Sequence, residues 1–209
     1  MARTAGRGRF EHMRRGLMLD YRFAMVGAAL SLIGNGAYAV QTARGLVRPN
    51  RVSWFLWGAV PLIAYFTQRD QGVGLVAVST LAVGIGPLLI FAASFVNRFG
   101  YWRLTRFDLS CGTLAVLALI LWLALDNPVL ALAVSIVADL ISGIPTIRKA
   151  WCDPRSERSF PFIFAACNGA ITVLSVQHWE VMHYLFPLYL MCLGITLTLI
   201  VQLRPRVLP

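Results

Sequence analysis

The sharpest chemical group in the sequence is Asp139, a carboxyl in the middle of the apolar run 128–147. It lies about 16 Å along that run if the run is helical, which is near the midplane of a bilayer if the run spans one. A carboxyl at that depth costs roughly 2.5–3.5 kcal/mol on insertion scales, so it must face a protein interior or a water-filled cavity. There it can take up a proton or accept hydrogen bonds. Asn35 and Asn168 are amides inside two further apolar runs, 24–43 and 160–177. Asn35 paired with Asp139 makes a site with one amide and one acidic wall, suited to hydroxyls or an amine. Hydrogen bonding between helices is the competing use of each of these side chains. Trp54, Trp57, Pro61 and Tyr65 recur at i, i+3, i+7 and i+11 and so share one helix face. Trp54 is expected in an interfacial belt. Trp57, one turn deeper, can stack on a flat or sugar-like ligand, or simply pack.

Other chemistries find no support. His178 and His183 flank Trp179 and Glu180, but they are five residues apart rather than four. On a helix they diverge by about 140° and cannot share a metal. A short external loop with an interfacial Trp explains them better. No Ser or Cys has a His in the same layer, so no nucleophilic triad can be drawn and no enzyme is expected. Cys111, Cys152, Cys167 and Cys192 are scattered, without the spacing of a disulfide framework or a metal knuckle. No metal or cofactor is expected.

The elements that must position these groups follow from composition. Of 209 residues, 58% are hydrophobic and 13% charged, against roughly 45–50% and about 25% in soluble domains. Mean hydropathy is +0.68. The formal charge of +10 does not signal nucleic acid, because 18 of the 19 basic residues are Arg and almost all lie in short gaps between apolar runs. Seven runs are long enough to cross a hydrocarbon core of about 30 Å as helices: 24–43, 52–68, 75–97, 108–126, 128–147, 160–177 and 183–203. None shows the alternation of a transmembrane strand. The expected class is an all-α integral membrane protein.

Loop charge sets the expected orientation. The gaps 44–51, 98–107 and 148–159 and the tail 204–209 hold twelve basic residues, while the opposite side holds Arg69 with Asp70, Asp126 and Glu180. The rule that basic loops stay inside puts the C-terminus in the cytoplasm and, with seven spans, the N-terminus outside. The tail 1–23, with six Arg, opposes this. Either the later loops outvote it, or translation starts at Met13 or Met18. The third reading is a signal peptide with Arg14-Arg15 as a twin-Arg start and Ala37-Tyr38-Ala39 as the cleavage site.

The first and fifth runs match at an offset of 104. Ser31 pairs with Ser135, Asn35 with Asp139, Tyr38 with Ser142, Thr42 with Thr146 and Arg44 with Arg148. Their spacing gathers the hydroxyl and amide members within roughly 60° of one helix face. Each run is followed by a proline (Pro49, Pro154), then Ser and an aromatic that open the next helix (Ser53-Trp54, Ser159-Phe160). The chain therefore reads as three helices (24–97), a loop and linker helix (98–127) and three helices (128–203). An odd linker makes the triplets parallel, related by an axis along the membrane normal.

This layout, with Pro145-Thr146-Ile147-Arg148 ending helix five and a Pro- and Ser-containing loop after it, resembles the PQ-loop superfamily of SWEET and SemiSWEET carriers. The resemblance covers residues 24–203, in architecture more than in residue identity. It implies two parallel triple-helix bundles that rock about a midplane site, with Pro145 as a hinge. It also implies that Trp57 resembles the aromatic clamp of the second helix, with Phe160, Ile163 or Phe164 as its counterpart. An acidic group near helix five takes part in proton coupling in PQ-loop amino-acid exporters, which falls here to Asp139. The third helices contain no interior Asn of the kind that SWEET sugar carriers place there. The expectation is a plasma-membrane carrier of a small polar solute, bound by Asn35, Asp139, Asn168, Trp57, Tyr38 and Ser142. Two rivals stand beside it: a vitamin or nucleoside carrier like the nicotinamide riboside transporters, and a non-transporting receptor or assembly factor. The partners expected are the solute and the lipid bilayer, with no nucleic acid; a second copy of the chain is compatible with the pattern.

Overall fold

A computed structural model describes residues 20, 22–70, 75–99, 102–125, 127–176 and 181–204. The tail 1–23 lies almost wholly, and the His178 end of the His178–His183 segment entirely, outside the described residues. Seven α-helices carry the described chain: α1 Phe23–Ala43, α2 Arg51–Asp70, α3 Leu75–Ala93, α4 Arg106–Leu123, α5 Pro128–Cys152, α6 Phe160–Leu174 and α7 Val181–Leu203. A short 3-10 turn, Pro154–Ser156, joins α5 to α6. Among the described residues, Tyr184–Leu203 is the one stretch that is long and apolar enough to cross a membrane by length and composition.

Local chemistry explains where the helices begin and end. After α1, Gly45 takes φ +73°. The Gly45 N–H donates to the Thr42 carbonyl at 2.9 Å and the Leu46 N–H to the Gln41 carbonyl at 3.0 Å, a Schellman turn that closes the helix. Pro49 follows, and the Asn50 carboxamide oxygen then accepts from the N–H groups of Val52 and Ser53, capping α2. Thr105 and Asp108 form a reciprocal capping box at the start of α4. Asn127 caps α5 by accepting from Val129 and Leu130, with Pro128 in the first turn, where its missing N–H costs nothing.

Two helix ends differ from the sequence reading by four residues or more. Pro145 does not end helix five: α5 continues through it to Cys152. A proline removes one helical hydrogen bond, and the buried Lys149 anchors the last turn. The third helix stops at Ala93 rather than 97, where Arg51 donates to the Ser94 hydroxyl at 2.9 Å and to the Ser94 carbonyl at 2.6 Å.

Packing joins six helices into a closed ring, in the order α1, α3, α2, α5, α7, α6 and back to α1. In each group of three, the third helix packs against both the first and the second. The first helix of one group meets the second helix of the other, as α1 with α6 and α5 with α2. Exchanging α1–α3 for α5–α7 leaves this order of contacts unchanged. The fourth helix lies outside the ring against α5 and α2. Three of the five matched pairs of α1 and α5 agree in burial: Tyr38, Ser142, Thr42 and Thr146 are fully buried, and Arg44 and Arg148 are exposed, whereas Ser31 and Asp139 are buried and their counterparts Ser135 and Asn35 only partly so.

Small residues permit these contacts. A Cβ on Gly58 would sit 2.5 Å from Leu88 of α3, and one on Gly169 would sit 2.6 Å from the Pro187 carbonyl of α7. Both glycines therefore let the second helix of a group press on the third.

Candidate functional site

The ring encloses a cavity of about 90 Å³ to which all six of its helices contribute, and α4 none. Ser31 and Asn35 come from α1, Trp54, Trp57 and Pro61 from α2, and Val83 and Pro87 from α3. The second group supplies Asp139 from α5, Phe162 and Asn168 from α6, and Phe186 and Leu190 from α7. Most of the wall is apolar or aromatic with a few placed polar groups, the usual make-up of a small-molecule site.

Asp139 is 3% exposed, and its Oδ2 accepts a hydrogen bond from the Tyr189 hydroxyl at 2.7 Å. Its backbone carbonyl accepts from the Ser142 hydroxyl at 2.7 Å and from the Trp57 indole N–H at 3.3 Å. The indole N–H thus ties Trp57 of α2 to the backbone of α5. Two ion pairs occur among the described residues, Arg48–Asp153 and Lys149–Glu157, and Asp139 belongs to neither. Asn35 sits against Gly86 of α3, and Asn168 against Gly27 of α1, each in a space that a Cβ would fill. Thr172 donates to the Asn168 carboxamide oxygen at 3.5 Å. Pro61 and Pro87 have no N–H to give the carbonyls of Trp57 and Val83, four residues back, and both of these residues line the cavity.

Four of the six expected binding residues therefore meet at one cavity: Asn35, Asp139, Asn168 and Trp57. Tyr38 and Ser142 do not line it. Both are fully buried. The Tyr38 hydroxyl donates to Glu157, while the Ser142 hydroxyl is turned onto its own helix and the Ser142 carbonyl accepts from Ser53 at 2.5 Å. A polar stripe fixes which face turns inward; among its described members Ser31, Asn35 and Asp139 reach the space between the bundles.

Trp54 is not an interfacial residue. It is 3% exposed, and its ring lies 5.2 Å from those of Tyr38 and Trp57 and 6.2 Å from that of Phe162. The aromatic of α6 at the cavity is Phe162, rather than Phe160, Ile163 or Phe164. Phe160 packs by Tyr38, Phe164 against Gly34, and Ile163 is exposed.

Two features have no counterpart in the sequence reading. One is Tyr189, a hydroxyl placed mid-helix in α7 and the only tyrosine in the described interior of that run beyond Tyr184. Its place in the last apolar run was the available signal. The other is a clamp at the end of the ring that carries the basic loops. The Lys149 ammonium donates to Glu157 at 2.5 Å and to the Arg48 carbonyl, and the side chains of the pair are 1% and 0% exposed. Arg48 also donates its backbone N–H to the Ser156 carbonyl at 3.1 Å and its guanidinium to Asp153 at 2.8 Å. The loop after α1 is therefore bound to the loop after α5.

No family model, curated sequence or solved structure matches the chain.

Proposed function

We propose that this protein is a membrane carrier that moves a small solute through the ring by rocking one group of three helices against the other. The observation that carries the reading is the cavity itself. It lies between the two groups of three, is lined by both, and has Asn35 and Asp139 at equivalent positions of α1 and α5. The seven helices are the spans, with α4 as the linker between two parallel bundles of the PQ-loop/SWEET type.

The outer surface supports the membrane setting. On α4, Leu109, Leu114, Leu117, Ile120, Leu121 and Leu123 are each more than half exposed, which makes a broad apolar face unsuited to water. Helices of 18–25 residues, which all but α6 are, are about 27–38 Å long and match a hydrocarbon core of about 30 Å. The basic loops put the clamp in the cytoplasm, the C-terminus with it and the N-terminus outside, in the plasma or inner membrane. Asn35, Asp139, Asn168 and Trp57 bind the solute, Tyr189 orients the Asp139 carboxyl, and Asp139 couples a proton. Pro145 gives α5 a place to bend, and the clamp holds the cytoplasmic side shut in this conformation.

The test is uptake by the purified full chain in proteoliposomes, over a panel of sugars, amino acids, amines, nucleosides and vitamins. Saturable uptake of one class, lost in Asp139→Asn, is expected. If no member enters faster than into empty liposomes, the receptor or assembly-factor reading replaces this one.

A further inference from the structure

The polar inventory of the cavity is unbalanced, and the imbalance names a ligand class. Among the described residues no Lys, Arg or His lines the cavity, so none of them complements a carboxylate, a phosphate or a sulfate. Asp139 is the one ionisable lining group among the described residues; it is buried, outside both ion pairs, and its Oδ2 is engaged by Tyr189. A buried carboxylate without a basic partner is a costly arrangement that a cation completes. The proline-freed carbonyls of Trp57 and Val83 are acceptors as well. The surrounding walls are the rings of Trp54, Trp57 and Phe162, whose faces attract cations. Trp57 and Asp139 line the same cavity, so a cationic head seated on the carboxylate has an indole in the same wall. A sugar needs donors and acceptors all round its ring; this cavity offers one acidic end and an apolar, aromatic remainder.

From this juxtaposition we infer that the solute is a small organic amine, carried as its cation, with the ammonium on Asp139 and a compact apolar or aromatic body against Trp54, Trp57 and Phe162. The inference rests on the carrier reading and narrows its substrate class. A cavity of about 90 Å³ favours a body of a few heavy atoms over a disaccharide or a nucleotide.

The experiment compares amines with uncharged counterparts of nearly the same shape on the purified full chain in detergent. The probes are isobutylamine with isobutanol, phenethylamine with 2-phenylethanol, and glucose. Binding is read as ligand-dependent thermal stabilisation. The expected result is that one amine binds at least tenfold more tightly than its alcohol, that glucose does not bind, and that Asp139→Asn removes the preference. If an alcohol or glucose binds as tightly as the amines, or Asp139→Asn keeps the amine preference, the amine class is overturned and the carrier reading survives. If no probe binds, and no solute of the wider panel enters proteoliposomes, both fall together. If no probe binds but another class is transported, the amine class alone falls. Should Asp139→Asn fail to fold, the amine–alcohol comparison on the unaltered protein decides by itself.

Discussion

Replacing Glu157 by Gln should destabilise the protein more than any exposed charge change, because it strips a buried ammonium of its ion-pair partner. Lys149 and Glu157 are 2.5 Å apart with side chains 1% and 0% exposed, and Glu157 also accepts from the Tyr38 hydroxyl. In Glu157→Gln the Lys149 ammonium keeps the Arg48 carbonyl but loses its counter-charge. Breaking a buried pair from one side costs about 3–5 kcal/mol. For a chain of this size, about 3 kcal/mol corresponds to a fall in Tm of roughly 6–12 °C. Lys149→Met should cost a similar amount, since it leaves the carboxylate buried with Tyr38 as its partner. The double variant Lys149→Met/Glu157→Gln removes both charges and should recover most of the loss, because neutral replacements of a buried pair are often tolerated. The assay is unfolding in detergent followed by tryptophan fluorescence, arranged as a double-mutant cycle. A coupling of at least about 2 kcal/mol is expected. Two single variants within about 0.5 kcal/mol of the parent, with additive effects, would refute the buried clamp.

Three further outcomes follow from the packing and the site. Gly169→Ala should lower stability measurably in the same unfolding assay, since its Cβ would sit 2.6 Å from the Pro187 carbonyl and 2.7 Å from the Met191 nitrogen, both backbone atoms of α7; an unchanged Tm would mean that α6 and α7 are not this close. Asp108→Ala removes one half of the capping box of α4 and should cost about 1 kcal/mol, with transport unaffected because α4 does not line the cavity. Asp139→Asn, nearly isosteric, should abolish or uncouple uptake while the protein still folds, as judged by an intact gel-filtration profile; uptake with unchanged pH dependence would count against a role for the carboxyl.

Hydropathy made the seven helices legible, since each needs a continuous apolar run, and it placed their starts within a few residues. It was weaker at their ends. An apolar count stops at Arg148, yet α5 runs on to Cys152 because Lys149 finds a carboxylate beyond the run. The offset of 104 identified the inward stripe of α1 and α5, and with it Asn35 and Asp139, because a shared fold puts equivalent residues at equivalent depths. Which members of the stripe reach the cavity depends on how the bundles close. Tyr38 is drawn to Glu157, 119 positions away, and no local pattern encodes that pairing. Trp54 misled for a related reason. Its place at the start of a helix suits an interface, but the ring folds that end of α2 inward against Tyr38 and Phe162.

The central claim is that the cavity between the two groups opens to both sides of a membrane in turn. The most direct measurement places a single cysteine at position 35, as Asn35→Cys, in a chain whose four native cysteines are replaced. Membrane-impermeant thiol reagents are then applied to sealed vesicles from either face. Labelling from both faces, slowed by a bound solute, is expected of a carrier. Labelling from neither face, in a protein that folds, would mean that the cavity is a closed packing feature and that the chain is not a carrier.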